Sequence, residues 1–100
     1  MQYNKLVRDK IPEILKQKGL FHKTHIANNT EYWFKLKDKL KEEVEEFLKD
    51  SNEEELADIL EVIDSICKFK NINKQKLEFL KKEKALKRGS FNNKIILEES

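Results

Sequence analysis

Two pairs of carboxylates carry the strongest chemical signal in this sequence. They are Glu43 and Glu46 in EEVEEF, then Glu55 and Asp58 in ELADIL. Residues at i and i+3 share a helix face, so each pair projects two acids in one direction. If the two helices pack as a hairpin, four acidic groups can converge on one spot. Such a cluster repels itself unless cations neutralise it, and hard oxygen donors suit Mg²⁺, with Mn²⁺ as a substitute. A magnesium site of this kind points toward phosphate chemistry.

Position separates these four acids from the others. At about 100° per residue, Trp33, Leu36, Leu40, Val44, Phe47 and Leu48 fill a single apolar arc. Glu43 falls beside that arc and Glu46 about 60° further round, whereas Glu42 and Glu45 point to the far, solvated side. On the next helix Leu56, Ile59, Leu60, Val62, Ile63, Ile66 and Cys67 make a wide apolar surface. Glu55 projects inside its edge and Asp58 flanks the same edge; Asp64 also borders apolar residues. Glu53 and Glu54 suit a helix N-terminus, where the dipole favours negative charge. A carboxylate at an apolar margin needs a partner, a metal or a raised pKa. A single ExxE is more often a solvated face, but two pairs at apolar margins of adjacent helices favour a site.

The elements that must position these acids are legible in outline. Asp9 can cap a short helix whose first turn tolerates Pro12 and which Gly19 closes. The following LFHKTHIANN reads as an extended connection that can hold a short strand. Thr30 is placed to cap a long helix ending near Asp50, and Ser51 with Glu54 has the capping-box spacing for a second, running to about Lys70. Asn73 can cap a third, with Gly89 at its C′ position. The tail SFNNKIILEES is expected to pack as an extended arm through Phe91, Ile95, Ile96 and Leu97. The expectation is an all-α fold: one domain over residues 1–100, with a short N-terminal helix, a helical hairpin or bundle completed by homo-oligomerisation, and an extended C-terminal tail.

Composition narrows the classes further. With 40% charged and 38% hydrophobic residues in 100, and few Gly or Pro, the chain suits a small helical domain and not a disordered one. Long helices at this size tend to leave an apolar face over, which favours self-association. No stretch is long and apolar enough to span a membrane, and the N-terminus lacks a secretory h-region, so the cytoplasm is the expected location. Cys67, alone on an apolar face, reads as a reduced packing residue. Trp33 and Tyr32 read as packing residues, and His22 and His25 as surface histidines without partners for a soft metal site. Charge is strongly segregated: residues 1–41 carry ten basic and four acidic groups, 42–64 one and eleven, and 65–94 ten and two. An acidic centre between basic flanks suits a metal-bound polyphosphate gripped by cations. The same flanks would also attract nucleic acid.

Three ordered blocks resemble one family. EEVEEF followed by ELADIL resembles the ExxE…ExxD pattern of the all-α nucleoside triphosphate pyrophosphohydrolases, the MazG-like superfamily. The opening YNKLVRDKIPEIL and the late KALKRGSFNNKIIL resemble its phosphoribosyl-ATP pyrophosphohydrolase-like subgroup, so the likeness spans nearly the whole chain. It implies that Glu43, Glu46, Glu55 and Asp58 bind Mg²⁺ within a bundle formed with another subunit, as a homodimer or homotetramer. The implied reaction is hydrolysis between the α- and β-phosphates of a nucleotide, giving a monophosphate and pyrophosphate, with Glu43 or Glu46 accepting the water proton. House-cleaning of the nucleotide pool is the implied role.

In the same resemblance Arg8, Lys10, Lys84 and Arg88 contact phosphate, while Gly89 and Phe91 shape the late turn. Each has a structural alternative. Arg8 and Lys10 can serve only to start the first helix, and Lys84, Lys87 and Arg88 complement a helix C-terminus without any substrate. Ser90 departs from the family's frequent RGGF, which puts the loop and the substrate choice in question. The subgroup's label does not transfer histidine biosynthesis to this chain. The competing function is a non-catalytic helical module that holds nucleotide or nucleic acid; on the leading reading, nucleic acid is not expected as a partner.

Overall fold

The computed structural model describes residues 4–100 and arranges them as four helices, with no strand among the described residues. They are α1 (Ile11–Gln17), α2 (Asn29–Asp50), α3 (Glu53–Lys70) and α4 (Lys74–Arg88). Residues 1–3, which include Tyr3 of the opening block, lie outside the described residues. No helix is long and apolar enough to cross a membrane.

Asparagine starts each of the three long helices. Asn28 Oδ1 accepts from the Glu31 amide at 2.9 Å, Asn52 Oδ1 from the Glu55 amide at 3.0 Å, and Asn73 Oδ1 from Gln75 and Lys76 at 2.8 and 3.1 Å. Each satisfies donors that have no partner inside the helix. Asn73 is the expected cap; the other two correct the expectation. Asn28, with extended backbone, takes the role assigned to Thr30, which lies inside the first turn. Asn52 takes the role assigned to Ser51, because Ser51 is already committed to closing α2 in the left-handed region at φ 53°, ψ 34°. Asp9 makes no capping bond to α1, whose N-cap is Lys10 with Pro12 in the first turn. Gly19 does close α1, at φ 69°, and the Leu20 amide reaches back to the Leu15 carbonyl. Gly89 ends α4 as its C-cap, one position inside the expected C′.

Two residues, Ser51 and Asn52, reverse the chain between α2 and α3, which forces an antiparallel hairpin. Packing between helices is concentrated in this pair. Leu36 is fully buried between them, with Val62 and Cys67 at 8% and 4% exposure. At the open end Trp33 stacks on Phe69 with centroids 5.9 Å apart, and Tyr32 meets the same ring edge-on at 5.2 Å. Lys37 and Lys70 lie over the Trp33 ring, at 5.2 and 4.7 Å from its centroid. His25 pairs with Glu31 instead of His22, which meets the Leu20 carbonyl.

The rest of the chain is not packed on the hairpin in the same way. Every apolar side chain of α4 is exposed: Leu77, Phe79, Leu80 and Leu86 stand at 41, 64, 44 and 88%, and Ala85 is exposed as well. The tail is not regular structure and does not pack as expected; Phe91, Ile95, Ile96 and Leu97 are each more than three-quarters exposed. An apolar pattern marks these side chains as fit to pack but does not supply the surface they pack on, and both they and the hairpin's Leu48, Leu56 and Leu60 are left exposed.

Candidate metal centre

Helix pitch and the two-residue turn together decide which carboxylates meet. Glu43 lies two turns before the end of α2, and Glu55 and Asp58 lie in the first two turns of α3, so the reversal sets them side by side. Oxygens of Glu43, Glu55 and Asp58 all fall within 4.8 Å of one another. A second trio, Glu46, Asp50 and Glu55, satisfies the same distance. The four predicted ligands are therefore not one cluster but parts of two overlapping ones, joined at Glu55. Glu43 is at the buried floor of the first at 9% exposure, and Glu46 is exposed.

Asp50 is the acid that sequence reasoning missed. It follows Glu46 by four residues, and on the same projection it falls between Glu43 and Glu46. Its place at the end of α2 made it look like a helix terminus instead of a ligand.

Cations surround the first trio. Arg8 Nη2 donates to Asp58 Oδ1 at 2.7 Å across fifty positions of sequence. Lys39, one turn before Glu43, bonds Glu43 and Glu42 at 3.1 Å each, and Lys5 reaches Glu42 at 3.2 Å. Burial works against the Lys39 charge, but the hydrogen bonds it donates to Glu42 and Glu43, with their charge attraction, outweigh it and hold its pKa above the ordinary lysine value. Glu42 is shifted the other way: burial would raise it, and the bonds from Lys39 and Lys5 bring it below the usual glutamate value. Glu55 has no such relief. Desolvation, then repulsion from Glu46, Asp58, Asp50 and Glu43, push its pKa up.

Of the predicted phosphate contacts, the fold brings only Arg8 to the acids. Lys10 sits exposed at the start of α1. Lys84 and Arg88 line a shallow groove on α4 with Leu80, Glu83 and Lys87, and neither pairs with a hairpin carboxylate among the described residues. Lys5 and Lys39 were not predicted; the i, i+4 spacing of Lys39 and Glu43 is the signal that identifies the second.

The donor set fits a hard divalent cation. Three carboxylates offer oxygen only, and opposite ligands of Mg²⁺ stand about 4 Å apart, near the spread of either trio. Comparison with known protein families, curated proteins and solved structures finds no match for this chain.

Proposed function

We propose that this chain is a Mg²⁺-dependent nucleotide pyrophosphohydrolase, cleaving a nucleoside triphosphate or related nucleotide between its α- and β-phosphates to give a monophosphate and pyrophosphate. One observation carries the reading: Glu43, Glu55 and Asp58 converge across the α2–α3 hairpin, on a half-buried margin where desolvation and then charge repulsion disfavour Glu55 as an anion. Magnesium held by Glu43, Glu46, Glu55 and Asp58, with Asp50 added, would screen phosphate charge and favour an attacking hydroxide. Glu46 is exposed and makes no ion pair among the described residues, so the oxygen it does not commit to the cation is the one placed to accept the water proton. Glu43, tied to Lys39, serves as a fixed ligand. Arg8 presents a guanidinium beside the trio, where it can grip a phosphate oxygen. The working form is a homodimer or homotetramer in the cytoplasm, and the role is removal of surplus or noncanonical nucleotides.

The test is a panel of canonical and modified NTPs and dNTPs, with Mg²⁺, Mn²⁺ or EDTA, followed for monophosphate and pyrophosphate. Cation-dependent release of both products is expected; orthophosphate alone would refute the assignment. The basic face of α4 favours one competitor, a helical module that binds nucleic acid without cleaving it. That competitor requires affinity that falls steeply with salt and ignores Mg²⁺.

A further inference from the structure

The segment before α1 is tied across the α2–α3 hairpin by two cations three residues apart. Lys5 reaches Glu42 on α2 at 3.2 Å, and Arg8 reaches Asp58 on α3 at 2.7 Å. Leu6 and Val7 between them are half-buried, so this strap is seated on protein between its two ion pairs. Its ends differ in what they hold. Glu42 belongs to neither acidic trio, whereas Asp58 converges with Glu43 and Glu55. One end is thus an anchor, and the other is committed to a candidate ligand.

Two of the three acids in that trio are paired with cations of the chain itself, and the pairs are unequal. Lys39 and Glu43 have side chains 17% and 11% exposed, against 57% and 38% for Arg8 and Asp58. An exposed pair is weak and readily exchanged, while separating a buried one leaves charge with neither water nor a partner. A divalent cation brings twice the charge of a guanidinium to the same oxygens and repels that guanidinium at short range. Arg8 is therefore the counterion that yields, and Lys39 the one that stays.

We propose that Arg8 is a displaceable counterion, which holds Asp58 until a divalent cation binds the trio and then releases it, while Lys5 keeps the strap on Glu42. The inference rests on the cation-binding reading of the trio. It adds an order of events to the proposed reaction, because the guanidinium becomes available to a phosphate oxygen only after it has left Asp58. A nucleotide that arrives without the cation finds Arg8 already committed. Two ligands that compete for one carboxylate are coupled reciprocally. The cation must loosen Arg8 by the same factor by which Arg8 weakens the cation.

Both halves of that coupling are measurable on the full chain without nucleotide. Arg8 and Arg88 are the chain's two arginines, so a ¹⁵N side-chain spectrum holds two guanidinium Nε signals, and Arg8→Gln identifies the first by deleting it. Asp58→Asn supplies the position of a released Arg8. Titration of wild type with Mg²⁺ should carry the Arg8 signal toward that position and leave Arg88 in place. An Arg8 signal that stays put while Mg²⁺ saturates the chain overturns the proposal. Calorimetric titration reads the other half. Arg8→Gln should bind Mg²⁺ about two- to fivefold more tightly than wild type, the range that an exposed ion pair can supply. Lys10→Gln removes an equal charge two positions along, from an exposed residue at the start of α1, and should stay near wild type. Unchanged or weaker binding by Arg8→Gln, or an equal gain in Lys10→Gln, overturns the displacement and leaves the cation site standing. Absence of Mg²⁺ binding to wild type, or binding undiminished in Glu55→Gln, removes the cation site and this proposal with it, so the two failures are told apart.

Discussion

The two margins of the α2–α3 hairpin are unsatisfied in opposite ways. One gathers Glu43, Glu46, Asp50, Glu55 and Asp58 into two trios with too little positive charge among them. The other leaves Val44, Leu48, Leu56 and Leu60 in water. Both arise from one sequence pattern, because an amphipathic helix wide enough to build a core has two edges. Physics distinguishes what each edge lacks. Repelling carboxylates are relieved by a cation, whereas exposed leucines are relieved by more protein. The difference separates a margin that the proposed function uses for chemistry from one that the single chain leaves uncovered, on either side of a core built on Leu36.

The largest effect should come from breaking the acidic margin alone. Glu46→Ala and Asp58→Ala are each expected to lower turnover by at least about a hundredfold, equivalent to about 2.7 kcal/mol of transition-state stabilisation. Helical circular dichroism and the sedimentation of both variants should be unchanged, since neither residue belongs to the core. Full activity in both would remove the chemical role from this margin. For Asp58 the variant also frees Arg8, whose half-exposed ion pair contributes at most about 1 kcal/mol to stability. Any larger loss of stability would mean that the pair, not the chemistry, is why Asp58 is there.

Leu36→Ala strikes both margins through their common floor. Leu36 is fully buried, and leucine-to-alanine changes at such positions cost about 2–5 kcal/mol. Thermal unfolding should show that loss, and activity and self-association should fall together with it. If only one of them fell, the margins would not share a foundation.

How much of this was legible beforehand follows from the kind of interaction involved. Periodicity placed α2 and α3, and with them Glu43, Glu55 and Asp58 on one edge, because helix geometry is local. The caps were misplaced by one or two residues. Asn28 and Thr30, like Asn52 and Ser51, are near neighbours of residue types that cap, and only the backbone dihedrals decide which one does. The separation of Glu46 from the Glu43 trio depends on the crossing of two helices, which no single wheel contains. Arg8 on Asp58 is a pairing across fifty positions, invisible to spacing rules. The tail was expected to pack because it is apolar. The structure leaves it exposed, because apolar composition alone does not specify the surface a segment packs on.

A middle-sized effect should come from the turn that aligns the margins. Asn52→Ala removes the bond from Asn52 Oδ1 to the Glu55 amide, and loss of an asparagine cap costs about 1 kcal/mol. Because Glu55 is the residue held there, cation affinity should weaken alongside stability, as calorimetric titration with Mg²⁺ would register. Stability lost with affinity kept would show that the trio does not depend on how α3 begins.

The smallest change is also the most discriminating, since it should reverse sign with the cation. Glu55 belongs to both trios and its pKa is raised, first by desolvation and then by neighbouring acids. For an acid this means the folded state binds the proton more readily than the unfolded one. The ionised form therefore opposes folding: the penalty is absent below the unfolded pKa and grows as pH rises to the raised folded value. It stays constant above that. Without divalent cations, Glu55→Gln should raise the melting temperature slightly at pH 7, and the advantage should shrink to nothing as the pH falls toward the unfolded glutamate value of about 4.3. With Mg²⁺ the order should invert, because wild type gains ligand stabilisation through that same charge and the variant gains less. A chain on which Glu55 is merely a solvated acid would show neither the gain nor the inversion, and the acidic margin would then be no more than a surface.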